Sequence, residues 1–144
     1  MILNTIASTI ASFCFGVIFN IKGKKLIFAS LGGGLGWFVY SLCLYFNFSD
    51  IGSLFIASII FSIYSEVLAR VLKTPVTIIV ICCLIPLVPG AGMYNTMYEV
   101  ITGNINDSLT LAINTIASAG TLALGIIFVS TITRLFKTYN TKKR

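Results

Sequence analysis

The chain contains no histidine and only four acidic residues among 144. The first absence removes imidazole-activated nucleophiles and the commonest metal ligand. The four acids, Asp50, Glu66, Glu99 and Asp107, are scattered. Enzyme chemistry therefore has little to work with, and neither a cofactor nor a metal is expected. Charged residues of both signs make up 10% of the chain, against roughly a quarter in soluble globular domains. The four cysteines, Cys14, Cys43, Cys82 and Cys83, all lie inside hydrophobic runs and none shows CxxC spacing. They read as buried thiols, with no disulfide and no metal site. No Lys or Arg precedes the first hydrophobic run, so a cleaved signal peptide is not expected.

What is present is hydrophobic: 57% of the residues, in continuous runs. Continuous runs argue for helices over a porin-like barrel, whose strands alternate. The expected fold is a single-domain, all-α integral membrane protein with five transmembrane helices. The spans fall at about 2–19, 26–46, 51–72, 76–101 and 108–136.

The fourth span is broken. Its first arm, 76–84, is strongly apolar, and then Pro86, Pro89, Gly90 and Gly92 fall within seven residues. Pro86 has no N–H for the carbonyl of Cys82, and Pro89 has none for that of Ile85. At ~1.5 Å per residue each arm covers roughly half of a ~30 Å hydrocarbon core. The break is thus expected near the bilayer midplane, where unpaired backbone is tolerated only inside protein or beside a water-filled cavity. Discontinuous spans of this kind build substrate sites in many secondary transporters. The amides opening the second arm suit a carboxylate, and the freed carbonyls suit an ammonium group or a cation. A plain packing kink is the alternative.

The run around this break, with Leu72, Lys73, Pro75, Ile85, Pro86, Pro89, Gly90, Tyr94, Thr96 and Met97, resembles the small-subunit half of the bacterial threonine/serine exporter family. In that family a span ending in Leu-Lys-x-Pro leads into Ile-Pro-x-x-Pro-Gly and a Tyr-Thr-Met-like helix. The local match covers about residues 65–104, and the span pattern extends it to most of the chain. The resemblance implies a bacterial plasma (inner) membrane protein that exports threonine and serine, driven by an ion gradient. It implies a larger membrane subunit of the same family as partner, and some split members are associated with succinate-like dicarboxylates. A homo-oligomer is a further arrangement, and a non-transporting assembly subunit is the rival from another class. In the transport reading, Pro86, Pro89, Gly90 and Gly92 offer backbone groups to the substrate. Tyr94, Asn95 and Thr96 meet a side-chain hydroxyl.

Three further features bear on this. Glu66 is the one carboxylate clearly inside a span, and Arg70 follows it by four residues, the favourable order for a helical ion pair. The pair is either a proton-coupling site or a structural pair near the interface. Asn114, Ser118, Thr121 and Gly125 share one face of the fifth span, which either packs or lines a pathway; Asn114 is the candidate substrate contact. Gly32, Gly33, Gly34 and Gly36 lack the strand and phosphate-binding lysine of a nucleotide loop and instead suit close helix approach.

Net charge is +6, but the basic residues sit in short segments at 22–25, 70–73 and 134–144. That pattern speaks of orientation rather than nucleic-acid binding. With five spans all three lie on one side and Asp50, Glu99 and Asp107 on the other. The basic side is expected to be cytoplasmic, with the N-terminus outside and the C-terminus inside. A four-span arrangement, with 86–104 as a re-entrant segment or exterior loop, weakens this separation.

Overall fold

Four of the turns between helices close in the same way, and this closure sets the topology. Asn20, Asn47, Lys73 and Gly103 each take a positive φ just past a helix end. In each case the next amide reaches back to a carbonyl five residues earlier: Ile21 to Gly16, Phe48 to Cys43, Thr74 to Ala69 and Asn104 to Glu99, at 3.0–3.1 Å. This satisfies carbonyls that a helix end leaves free and reverses the chain within a few residues.

The computed structural model describes residues 1–142, with side chains as far as Leu135. All secondary structure among the described residues is helical: α1 (Ile2–Ile18), α2 (Lys24–Tyr45), α3 (Asp50–Val71), α4 (Val76–Leu84), α5 (Gly90–Thr102) and α6 (Ile105–Lys142), with a 3-10 turn (Ile85–Leu87) after α4. Helices α2, α3 and α6 are each long and apolar enough to cross a membrane. The α4 and α5 segments pass that test only together, bent by 51° at the break. Helix α1 is apolar but shorter, at 17 residues. The last helix begins at Ile105, ahead of the expected span at 108–136, because the Gly103 turn leaves the Asn104 carbonyl to accept from the Ser108 amide at 3.0 Å. The basic residues Lys137, Lys142, Lys143 and Arg144 of the charge argument lie outside the described side chains.

Small residues decide what touches what. On α1, Ser8, Ser12 and Gly16 are the buried stripe. On α2, the glycine run is approached from several sides. A methyl group at Gly33 would overlap Ser12 Oγ, one at Gly34 would overlap Thr9 Oγ1, and one at Gly36 would lie 3.2 Å from Leu87 Cδ1 and 3.4 Å from Phe61 Cδ1. The sequence expectation of close backbone approach is met, with Gly33 and Gly34 serving α1 and Gly36 serving α3 and the break. Interhelical hydrogen bonds add to this: Ser8 Oγ to the Gly33 carbonyl (3.3 Å), Tyr64 OH to the Phe28 carbonyl (2.8 Å), and Ser65 Oγ to Cys83 Sγ (3.6 Å). Each such bond contributes about 0.6 kcal/mol in membrane helices.

The outcome is a bundle of α1, α2, α3 and α4, in which α4 turns one face inward: Ile79, Cys82 and Cys83 are wholly buried, while Ile78 and Ile81 are exposed. The α5–α6 hairpin attaches at the side. Helix α5 buries no residue and packs against α6, and α6 packs in turn against α3. The alternation of direction brings Lys22, Lys24, Lys25, Arg70 and Lys73 to one end of the bundle and Asp50 to the other.

The contact of α6 with α3 rests on Gly125, where an added Cβ would overlap Ser58 Oγ and lie 3.5 Å from the Phe55 carbonyl. At Gly120, by contrast, an added Cβ meets nothing within 4 Å. Gly125→Val is expected to lower the apparent Tm in detergent by roughly 3 °C or more, the shift about 1 kcal/mol produces at this chain length. Gly120→Ala is expected to leave it unlowered; equal Tm values for the two variants would contradict the packing.

Candidate functional site

The break is built by what two prolines cannot do. Helix α4 tightens into the 3-10 turn at Ile85, Pro86 and Leu87. Val88 is then extended (φ −60, ψ 130), and Pro89 stands at the start of α5. The Val88 amide donates to the Ile85 carbonyl at 3.3 Å, and the Gly90 amide to the Val88 carbonyl at 2.7 Å. The Ile85 carbonyl is therefore already occupied, contrary to the sequence expectation of a free acceptor. The Cys82 carbonyl, deprived of a partner by Pro86, lies against α2: a methyl at Gly33 would come within 3.3 Å of its oxygen. Neither carbonyl opens onto a ligand, because the chain tightened by one turn and α2 closed over the gap. At the start of α5 no side chain caps the helix. The Ala91 and Gly92 amides lie in a first turn, where helix geometry supplies no acceptor.

One cavity lies beside the break and another farther along α5. The outer groove, of about 480 Å³, runs between α5 and α6 and is lined by Met93, Thr96, Met97, Thr115, Ile116 and Gly120, among others. It is almost wholly apolar, since the Thr96 and Thr115 hydroxyls donate to carbonyls of their own helices (Gly92, 2.8 Å; Leu111, 2.7 Å). The second, a cleft of about 310 Å³, lies between α1, α2 and the break, lined by Asn4, Ala7, Ser8, Ala11, Trp37 and Pro86.

The structure gathers some of the predicted residues and disperses others. Pro86, Pro89, Gly90 and Gly92 form the break itself. Pro86 lines the cleft and Thr96 lines the outer groove. Gly92 is a packing position, since an added Cβ would come 2.5 Å from Thr115 Oγ1. At Gly90 an added Cβ meets nothing within 4 Å. Tyr94 is 70% exposed and stacks on Tyr98. Asn95 and Asn114 are exposed, and neither is among the residues lining the two cavities. Of the polar stripe on α6, Ser118 and Gly125 are buried and Asn114 is not. The stripe thus turns its inner part to α3, which favours packing at Gly125.

Glu66 and Arg70 pair as their spacing predicts, Nη2 to Oε2 at 3.7 Å, with the Glu66 side chain 16% exposed and that of Arg70 61%. Glu66 lies five residues beyond Phe61, which meets Gly36 beside Leu87. It is therefore about 8 Å along α3 from the break by helix rise.

The α1 side of the break carries no sequence motif: Asn4, Ser8 and Trp37 come together only through the packing of α1 on α2. The Trp37 Nε1 and Ser12 Oγ atoms are buried with no hydrogen-bond partner. The available signal was the lone indole of the chain, set inside a glycine-rich helix whose neighbours approach closely.

Helices of this length and apolarity, threaded by short turns and interrupted by a proline–glycine break, define a multi-pass α-helical membrane protein. Comparison with known families is more specific. The family described as threonine/serine exporter, ThrE, matches residues 4–132, and the chain belongs to it. That family is one of transporters. No solved structure matches the chain.

Proposed function

We propose that this chain is a subunit of a secondary transporter that exports small hydroxylated amino acids, threonine and serine, across a bacterial plasma membrane. In this reading five spans cross the bilayer: α1, α2, α3, the bent α4–α5 pair, and α6. The basic turns at 22–25 and 70–73 are cytoplasmic and the N-terminus is outside. The observation that carries the proposal is the break: two half-span arms meet at Pro86 and Pro89, with a cleft lined by Pro86 beside them. The uncapped start of α5 faces a substrate carboxylate, as half-helix termini do in other transporters.

The partner in this reading is a larger membrane subunit of the same family. Support comes from the α5–α6 hairpin, which carries exposed apolar residues such as Met97, Ile101, Ile105, Leu109 and Ile116 and no buried residue on α5. The same surface favours a second reading, a subunit that assembles a transporter without binding substrate. In that case substitutions at the break lower the yield of complex rather than turnover per complex. A succinate-like dicarboxylate is the alternative cargo.

Glu66 is assigned the coupled proton, with Arg70 as its charge partner. It is the one acid in the interior of a span and is largely buried, and ionisable groups at such positions serve proton relays.

Because an added side chain at Gly90 meets open space, Gly90→Leu is expected to fold normally and fill room that the substrate needs. Efflux of labelled threonine per assembled complex should fall by more than about tenfold, equivalent to about 1.4 kcal/mol, with Tm unchanged. Undiminished efflux would remove the break from the substrate path. Glu66→Gln is expected to keep downhill exchange and lose acceleration by a pH gradient; unchanged gradient-driven efflux would remove Glu66 from coupling.

A further inference from the structure

The cleft between α1, α2 and the break has in its wall what the outer groove lacks, a residue with an unpartnered polar group: Trp37, whose Nε1 is a buried donor that donates to nothing. Ser12 of α1 and Ser62 of α3 also have buried, unpartnered hydroxyls, but neither lines the cleft. A buried donor or acceptor left unpaired costs about 1–3 kcal/mol. Native folds keep such a group where something else completes it. Ser8 lines the cleft and uses its proton on the Gly33 carbonyl, so its oxygen remains an acceptor. Asn4 offers an amide donor and acceptor at the exposed end of the same wall. The volume, about 310 Å³, is at the small end of the ~300–1,000 Å³ range of ligand pockets.

We propose that this cleft is a solute-binding pocket in which an oxygen of a small, net-neutral polar solute accepts the hydrogen bond of Trp37 Nε1. The Nε1 atom is covered as the indole stands, so binding requires the indole edge to turn toward the cleft. The charge of the solute follows from the lining. None of Asn4, Ala7, Ser8, Ala11, Trp37 and Pro86 is charged. The basic turns Lys22, Lys24, Lys25 and Arg70, Lys73 are at the opposite end of the bundle from the N-terminal end of α1. No side chain lining this cleft supplies a cation to offset the desolvation of a dianion, which is costly. A zwitterion carries its own counter-charge, and a hydroxyl-bearing one supplies the acceptor that Trp37 lacks. The pocket therefore selects an amino acid over a dicarboxylate. This assignment rests on the exporter reading for the identity of the solute, but binding itself is measurable without transport.

Trp37 is the single tryptophan of the chain, so its fluorescence reports this pocket alone. The purified full-length chain in detergent is titrated with L-threonine, L-serine and succinate. A saturable change with an amino acid and none with succinate is expected. Ala7→Leu, which fills the cleft and leaves Trp37 in place, is expected to abolish the change. Trp37→Phe, which keeps the ring and removes the N–H, is expected to raise the KM of efflux about tenfold, the loss of about 1.4 kcal/mol of binding, with little change in maximal rate. Active efflux with no fluorescence response, or with an unaltered KM in Trp37→Phe, means that the cleft holds only water; it overturns this inference and leaves the exporter reading standing. A response to succinate alone, or one that survives Ala7→Leu, also overturns it. A saturable amino-acid response in the chain, with no efflux even from the complex with its larger partner, upholds the pocket and contradicts the exporter reading.

Discussion

A proline has no amide hydrogen, and inside a bundle of apolar helices that missing donor cannot be replaced by water. The fold is arranged around this constraint at Pro86 and Pro89. Helix α4 packs one face, with Ile79, Cys82 and Cys83 fully buried, against its neighbours and brings the break up against α2. The chain reduces the damage by tightening into a 3-10 turn, so that the Ile85 carbonyl finds the Val88 amide. The Cys82 carbonyl is covered by the bare backbone of Gly33. Any side chain there would collide with Ser12 and crowd that oxygen. The glycine run of α2 is thus the complement of the proline pair on α4.

The same economy of volume explains the abundance of serine. Ser53, Ser58, Ser62 and Ser65 are buried along α3, where larger polar groups would hold helices apart. Several return their hydroxyl proton to their own helix, as Ser58 does to Phe55 and Ser65 to Phe61. Packing in lipid gains nothing from a hydrophobic drive between helices and depends on close contact. Small hydroxylated residues give that contact with little polar cost. Among the described residues Trp37 Nε1, Ser12 Oγ and Ser62 Oγ are buried without partners, and of the three only Trp37 lines the cleft beside Pro86.

Much of this was legible in the sequence, and the parts that were not have physical reasons. Helix bounds followed from hydropathy and turn residues. The break followed from Pro86 and Pro89, and the Glu66–Arg70 pair from its spacing. The Leu-Lys-x-Pro motif gains a structural account: Lys73 takes the positive φ that closes α3, and Pro75 then leads into α4. What spacing alone could not give is which neighbour each face meets. Gly92 is expected to offer backbone groups to a substrate, and its Cβ side packs against Thr115. Asn114 begins a polar stripe that turns to α3 only from Ser118 onward, so it is left exposed. The α1 contribution to the break depends on a contact between residues far apart in the chain, and no local pattern encodes it.

The account requires that the two arms meeting at the break lie end to end, so that the turn before α4 and the turn after α5 emerge on opposite faces of the membrane. The most direct measurement places single cysteines at Lys73 and Asn106, with the four native cysteines replaced by alanine. Intact cells are then treated with a membrane-impermeant thiol reagent. The account predicts labelling of Asn106→Cys from outside, and of Lys73→Cys only after permeabilisation. Labelling of both from the same side would mean that the arms turn back on themselves as a re-entrant segment, and would contradict it.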